Sequence, residues 1–98
     1  MFIVFLRHSD NQAGAKSWRA AQRQWNARGF NDKVFLVAGE LPDEQGLCFI
    51  AHGESHEALQ TRMAAAPFIV QGVAELEIVE VTPTRAATAL AFLTTKNG

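Results

Sequence analysis

Arg7 and His8 sit side by side where the first apolar run of this chain ends, and they are the side chains best suited to chemistry. An imidazole titrates near neutral pH and carries protons, while a guanidinium grips a carboxylate through two parallel hydrogen bonds. At the end of a strand the same pair also reads as ordinary solvated polar residues. Gln22 is the next candidate. It lies four residues after Trp18 and three before Trp25, on the stripe of a helix that should face a sheet. A buried amide left without partners costs about 1–3 kcal/mol. Gln22 therefore reads either as a core amide satisfied at a helix–sheet junction or as a pocket residue that binds a ligand carbonyl or hydroxyl.

Other reactive residue types carry less. His52 and His56 are four apart but fall across a strand-to-helix corner, and only Glu54 and Glu57 stand near enough to help them hold a metal. No metal site is expected. Cys48 is the one cysteine, which excludes an internal disulfide and any CxxC motif. Inside an apolar run it behaves as a small hydrophobe.

The elements that must position these residues follow from patterning. Phe2–Leu6, Val34–Val37 and Leu47–Ala51 are apolar on both faces, whereas a strand with one wet face alternates with period two. Ala15 to Arg28 shows helical spacing through Trp18, Ala21 and Trp25, with Lys16, Arg19 and Arg23 elsewhere on the helix and Gly29 as its stop. Leu41–Gly46 reads as a hairpin loop. Ser55 caps a second helix that ends near Ala66 because Pro67 disfavours helical geometry before it. The last strand, Ala74 to Val81, changes phase at Ile78–Val79, through a bulge or because its halves bury opposite faces. Glu75, Glu77 and Glu80 are the polar positions expected on an edge strand. Thr82-Pro83 predicts the start of a C-terminal helix over about 84–93.

The order is βαββαβ plus a terminal helix: α+β, with an antiparallel ferredoxin-like sheet in the order fourth, first, third, second strand. A chain of 98 residues makes one domain, 1–98, with a core of about 1–83. Both main helices cover one face. The other face predicts a homodimer that pairs sheet on sheet, because an exposed apolar patch of that size is anomalous on a soluble monomer and a standard interface buries ~1,600 Å². Topology also brings Arg7, His8, Gly39, the first half of helix one and the Pro67-Phe68 corner to a single edge. A net charge of −1 argues against nucleic acid. No apolar run approaches the ~20 residues of a membrane span, and no basic leader precedes the first strand. A cytoplasmic protein is the expectation.

Several segments, taken together, resemble the YCII-related (YciI-like) family of small dimeric α+β barrel proteins. They are Arg28-Gly29-Phe30, Val34–Gly39, Ala51-His52-Gly53, and Ala66–Gly72 leading into Glu75–Glu80 and Thr82–Arg85. The resemblance spans about residues 1 to 93. It implies a ferredoxin-like dimer and a site built from a helix-one His and the Asp of an Asp-Pro-Phe corner. It further implies cofactor-free lyase or dehydrochlorinase chemistry on ring compounds in some relatives, with muconolactone isomerases and cofactor-independent monooxygenases among the related barrels. Here the chain departs from the pattern. The His position is Gln22 and the Asp position is Ala66, neither of which transfers a proton.

Two functions follow. As an enzyme, the protein would be a cofactor-free lyase, isomerase or dehydrochlorinase acting on a small cyclic or aromatic acid. His8 would move the proton, Arg7 would hold the anion, and Trp18, Gln22, Trp25, Gly39, Pro67 and Phe68 would line the pocket. As a non-catalytic module, it would bind such a ligand or serve only to dimerise. An RNA-recognition motif would need basic residues and aromatics on the open sheet, together with a signature sequence that this chain lacks.

Overall fold

β1 (Phe2–His8), one of the two inner strands of the sheet, is hydrogen-bonded along both edges, and its residues alternate between a buried face and a half-buried one. The computed structural model describes residues 1–11 and 14–94. β1 pairs antiparallel with β3 (Gly46–Ala51) on one side and β4 (Ala74–Glu80) on the other, and β2 (Phe35–Glu40) pairs with β3. The order β2-β3-β1-β4 is the ferredoxin-like arrangement that the sequence predicts. Phe2, Val4 and Leu6 point into the core with Phe49 and Ala51 beside them, while Ile3 and Phe5 lie on the opposite face with Cys48 and Ile50. β4 is an edge strand, and its phase change is no bulge. Its register to β1 runs unbroken, so Leu76 and Ile78 pack on the core side and Val79 falls on the open side. The irregularity in pairing lies in β2, between Phe35 and Val37.

The helical layer corrects two expectations. Helix α1 runs from Ala15 to Asn31, through Gly29 and beyond it. Its buried residues are Ala15, Gln22 and Gly29, seven apart, and not a Trp18–Ala21–Trp25 stripe. Trp18 is 37% exposed, and Trp25 flanks the ridge with its ring 5.5 Å from that of Phe35 and 6.3 Å from that of Phe49. The reason is close approach. A Cβ on Gly29 would stand 2.2 Å from the Phe35 ring, so the helix can press on β2 only where a side chain is missing. The true stop is Lys33, in the left-handed region at φ 61. Lys33 and Val34 donate their backbone N–H groups to the carbonyls of Phe30 and Gly29, which closes a Schellman motif.

Helix α2 (His56–Ala64) is capped as predicted, with the Ser55 hydroxyl accepting from the Ala58 N–H at 3.1 Å. Arg62 on α2 donates to Glu54 at 2.6 Å and to Asp32 at 2.9 Å, tying α2 to the end of α1. Those hydrogen bonds, to Glu54 and then Asp32, hold the guanidinium above its ordinary arginine range. A short helix α3 (Pro67–Val70), absent from the sequence reading, follows at once.

The expected C-terminal α-helix over 84–93 is a 3-10 segment confined to Thr88–Leu93. Leu90 and Phe92 are 42% and 47% exposed, and a single apolar turn with so little to pack against does not sustain an α-helix. The open sheet face is apolar at its centre, but one corner is charged. There Arg7 donates to Glu77 at 3.0 Å and lies 4.4 Å over the Phe5 ring.

The contact at Gly29 makes Gly29→Ala a test of the helix–sheet packing. Alanine gains about 1 kcal/mol of helix propensity, but the clash with Phe35 should reverse that, giving a net loss of about 1–2 kcal/mol. Urea denaturation reads this as a lowered midpoint at unchanged slope.

Candidate functional site

Beyond Leu6 the chain is pinned from both sides. His8 donates its backbone N–H to Gln45 O at 2.8 Å, and Ser9 donates its own to Val73 O at 2.8 Å. The Ser9 hydroxyl donates to Gly72 O at 2.6 Å. The β2–β3 hairpin folds back over this end because Asp43 and Glu44 both adopt the left-handed region, at φ 58 and φ 55. Two adjacent non-glycine residues in that region store strain, and such strain clusters at functional sites.

That turn aims the Glu44 carbonyl at His8. His8 Nδ1 stands 2.6 Å from Glu44 O. A carbonyl oxygen only accepts, so Nδ1 carries the proton and the neutral ring keeps its lone pair on Nε2. Nε2 is buried and has no hydrogen-bond partner among the described residues. A buried polar atom left unpaired costs about 1–3 kcal/mol, and such atoms are rare enough to mark a site. The ring edge also meets Phe68, with centroids 5.9 Å apart. The result is an oriented ring whose Nε2 faces no partner, held in place by backbone and a phenyl ring.

His8 lines two hollows. A small groove of about 360 Å³ is shared with Arg7, Glu44 and Gln45. A larger cleft of about 950 Å³ runs between α1 and the β2–β3 hairpin. Of the residues that the sequence groups at this edge, Gln22, Gly39 and Phe68 line this cleft, with Phe49 and Leu47 adding apolar surface. Trp18, Trp25 and Pro67 do not line it. Arg7 and His8 are consecutive on a strand and so point to opposite faces, which leaves Arg7 with Glu77 and Phe5 on the open side. His52 and His56 lie apart from both hollows, each against an aromatic ring: Phe92 for the first and Phe2 for the second. The cleft also contains residues the sequence reading left aside, notably Lys16, Arg19, Arg23 and Asn26 from α1. Their spacing relative to Gln22 on one helical face was the available signal.

Gln22 is only 2% exposed, and both ends of its amide are bonded. Its Oε1 accepts the backbone N–H of Phe68 at 3.0 Å, and its Nε2 donates to Asn26 at 2.9 Å. The first bond is a capping bond. Helix α3 has Ala66 at its N-cap, which offers no side-chain acceptor, and Pro67 at N1, which has no N–H. Phe68 N–H is therefore the first donor that needs a partner, and Gln22 supplies one from another helix. Of the two readings of Gln22, the satisfied junction amide describes its bonding, at a place that also forms part of the cleft wall.

Gln22→Leu keeps the volume and leaves the Phe68 N–H buried without its acceptor. It should cost about 1–3 kcal/mol of stability, read by urea denaturation. Gln22→Leu combined with Ala66→Asp should recover about 1 kcal/mol of that loss, because aspartate at the N-cap can accept the same N–H.

No family model matches the chain, and no curated protein matches it. Among solved structures it is similar to 5-chloro-2-hydroxyhydroquinone dehydrochlorinase (TftG) from Burkholderia phenoliruptrix AC1100, in complex with 2,5-dihydroxybenzoquinone. The TM-score is 0.70 and the identity 14%, over 82% of this chain and 91% of that one. At that identity the likeness establishes a shared ferredoxin-like α+β fold.

Proposed function

We propose that this protein is a YciI-like small-molecule-binding protein whose cleft takes a small cyclic or aromatic acid, and that His8 accepts a proton from it in cofactor-free lyase or isomerase chemistry. The observation that carries this reading is the His8 ring, with Nδ1–H committed to the Glu44 carbonyl and the Nε2 lone pair unpartnered. A proton taken on Nε2 leaves an imidazolium whose Nδ1–H keeps its acceptor, so the charged form is stabilised without rearrangement. The cleft volume of about 950 Å³ lies within the range of small-molecule sites, and its floor combines apolar and polar groups as such sites do. The similar dehydrochlorinase, whose complex holds a dihydroxylated quinone ring, supports a planar cyclic ligand. Because Gln22 and Ala66 leave no acid–base pair at the family's positions, His8 is the proton carrier in this scheme.

A thermal-shift screen over hydroxybenzoates and 2,5-dihydroxybenzoquinone should show stabilisation by at least one ring compound, and silence across the set would overturn the cleft as a ligand site. For the binder, proton–deuterium exchange of the bound ring followed by NMR should slow by roughly 10²–10⁴-fold in His8→Ala. An unchanged exchange rate in that variant removes His8 from the role.

The apolar centre of the open sheet face, formed by Ile3, Phe5, Cys48, Ile50 and Val79, supports a second proposal, that two copies pair there as a homodimer. Sedimentation velocity at micromolar concentration should give twice the chain mass, and Ile50→Glu should halve it. A folded wild-type monomer at that concentration overturns the pairing.

A further inference from the structure

The two walls of the larger cleft carry opposite charge, and no ion pair joins them among the described residues. Lys16, Arg19 and Arg23 follow one another at i, i+3 and i+7 along α1, so they share the helical face that borders the cleft. Across from them, the end of β2 and the hairpin turn bring Glu40, Asp43 and Glu44. None of the three cations and none of the three carboxylates makes an ion pair or a side-chain hydrogen bond among the described residues. Charges on a featureless surface are often unpaired. Here three of each sign line opposite walls of one hollow that also contains an unpartnered buried imidazole nitrogen. The cleft is thus polarised across its width, over an apolar floor that includes Leu47, Phe49 and Phe68.

Building on the reading of the cleft as a ligand site, we infer that α1 and the hairpin sort ligands by charge placement, and that the preferred ligand is a hydroxylated monocarboxylic acid lying across the cleft. Its carboxylate meets Arg19 and Arg23, whose forked donors match two carboxylate oxygens, with Lys16 adding positive potential. At the opposite end its hydroxyl donates to a carboxylate of the hairpin, which can only accept. The acidic wall also excludes. A second carboxylate at that end would face Glu40, Asp43 and Glu44, and like charges brought together in a partly closed site oppose binding. A neutral ring of the same shape gains nothing from α1. Arg7 takes no part in holding the anion, since its guanidinium lies on the other side of the sheet with Glu77.

Three probes of matched shape separate these terms: 4-hydroxybenzoate, the neutral 4-hydroxybenzamide and the dianion terephthalate, each titrated calorimetrically into the full chain. The hydroxy acid should bind at least about fivefold more tightly than either of the others. Arg19→Gln with Arg23→Gln should remove that advantage and leave the amide's affinity unchanged, whereas Arg28→Gln, on α1 but away from the cleft, should leave all three as they were. Glu40→Gln with Asp43→Asn should improve terephthalate selectively. Rising salt should weaken the hydroxy acid and spare the amide. Equal binding of acid and amide, or an affinity for the acid that survives the double arginine change, overturns the charge-sorting inference and leaves the cleft standing as a ligand site. Failure of all three probes to bind overturns the inference, and silence of the ring-compound screen as well overturns the cleft as a ligand site.

Discussion

Both edges of β1 are hydrogen-bonded and one of its faces is packed under the helices, and most of the structure is arranged around that one strand. Because β3 and β4 flank it, every backbone polar group along its length has a ladder partner available. Alternation then sends Phe2, Val4 and Leu6 under the helices and Ile3 and Phe5 to the open face. The same alternation, carried two residues further, places His8 on the helix side and Arg7 on the other. A site at this edge can use one or the other as its centre, and only His8 reaches the cleft beside α1.

The strand topology was legible in the sequence because uninterrupted apolar runs, a Pro and Gly hairpin and two crossover helices admit few arrangements. The Ser55 cap and the edge position of β4 followed from local chemistry in the same way. What could not be read was the helix ridge. Periodicity favours large apolar side chains, so Trp18 and Trp25 stood out, yet the line of closest approach between helix and sheet is made of Ala15, Gln22 and Gly29. Smallness is a requirement of the partner surface, here the Phe35 ring, and no pattern within the helix itself states it. The short turn of helix from Pro67 to Val70 is hidden in the sequence for a related reason. Four residues are too few for periodicity, and its cap comes from position 22.

The site was half visible. His8 could be singled out from residue type and strand position, but its tautomer depends on a carbonyl thirty-six residues away. That carbonyl points correctly only because two consecutive acidic residues take a left-handed backbone. In the sequence Lys16, Arg19 and Arg23 simply fall elsewhere on α1 than its apolar stripe, and nothing local marks them as a cleft wall until the folded-back hairpin supplies an opposite one. Long-range turns of this kind are set by tertiary closure, and local sequence carries little trace of them.

The resemblance puts a His and an Asp where this chain has Gln22 and Ala66, and those two differences are physically coherent as a pair. An aspartate at the N-cap of a helix beginning Pro-Phe accepts the first free N–H, and a residue reaching in from α1 then need not do so. Remove the aspartate and that N–H is left buried, which is costly unless another acceptor arrives. Glutamine has the length to reach Phe68 from α1 and an oxygen that accepts irrespective of pH, while its other end is satisfied by Asn26 one turn along. A histidine at the same place would accept only in one tautomer and would lose the bond on protonation. Glutamine therefore gives a pH-independent cap and inert chemistry at once. At this edge the imidazole of His8 keeps a buried Nε2 with no hydrogen-bond partner among the described residues.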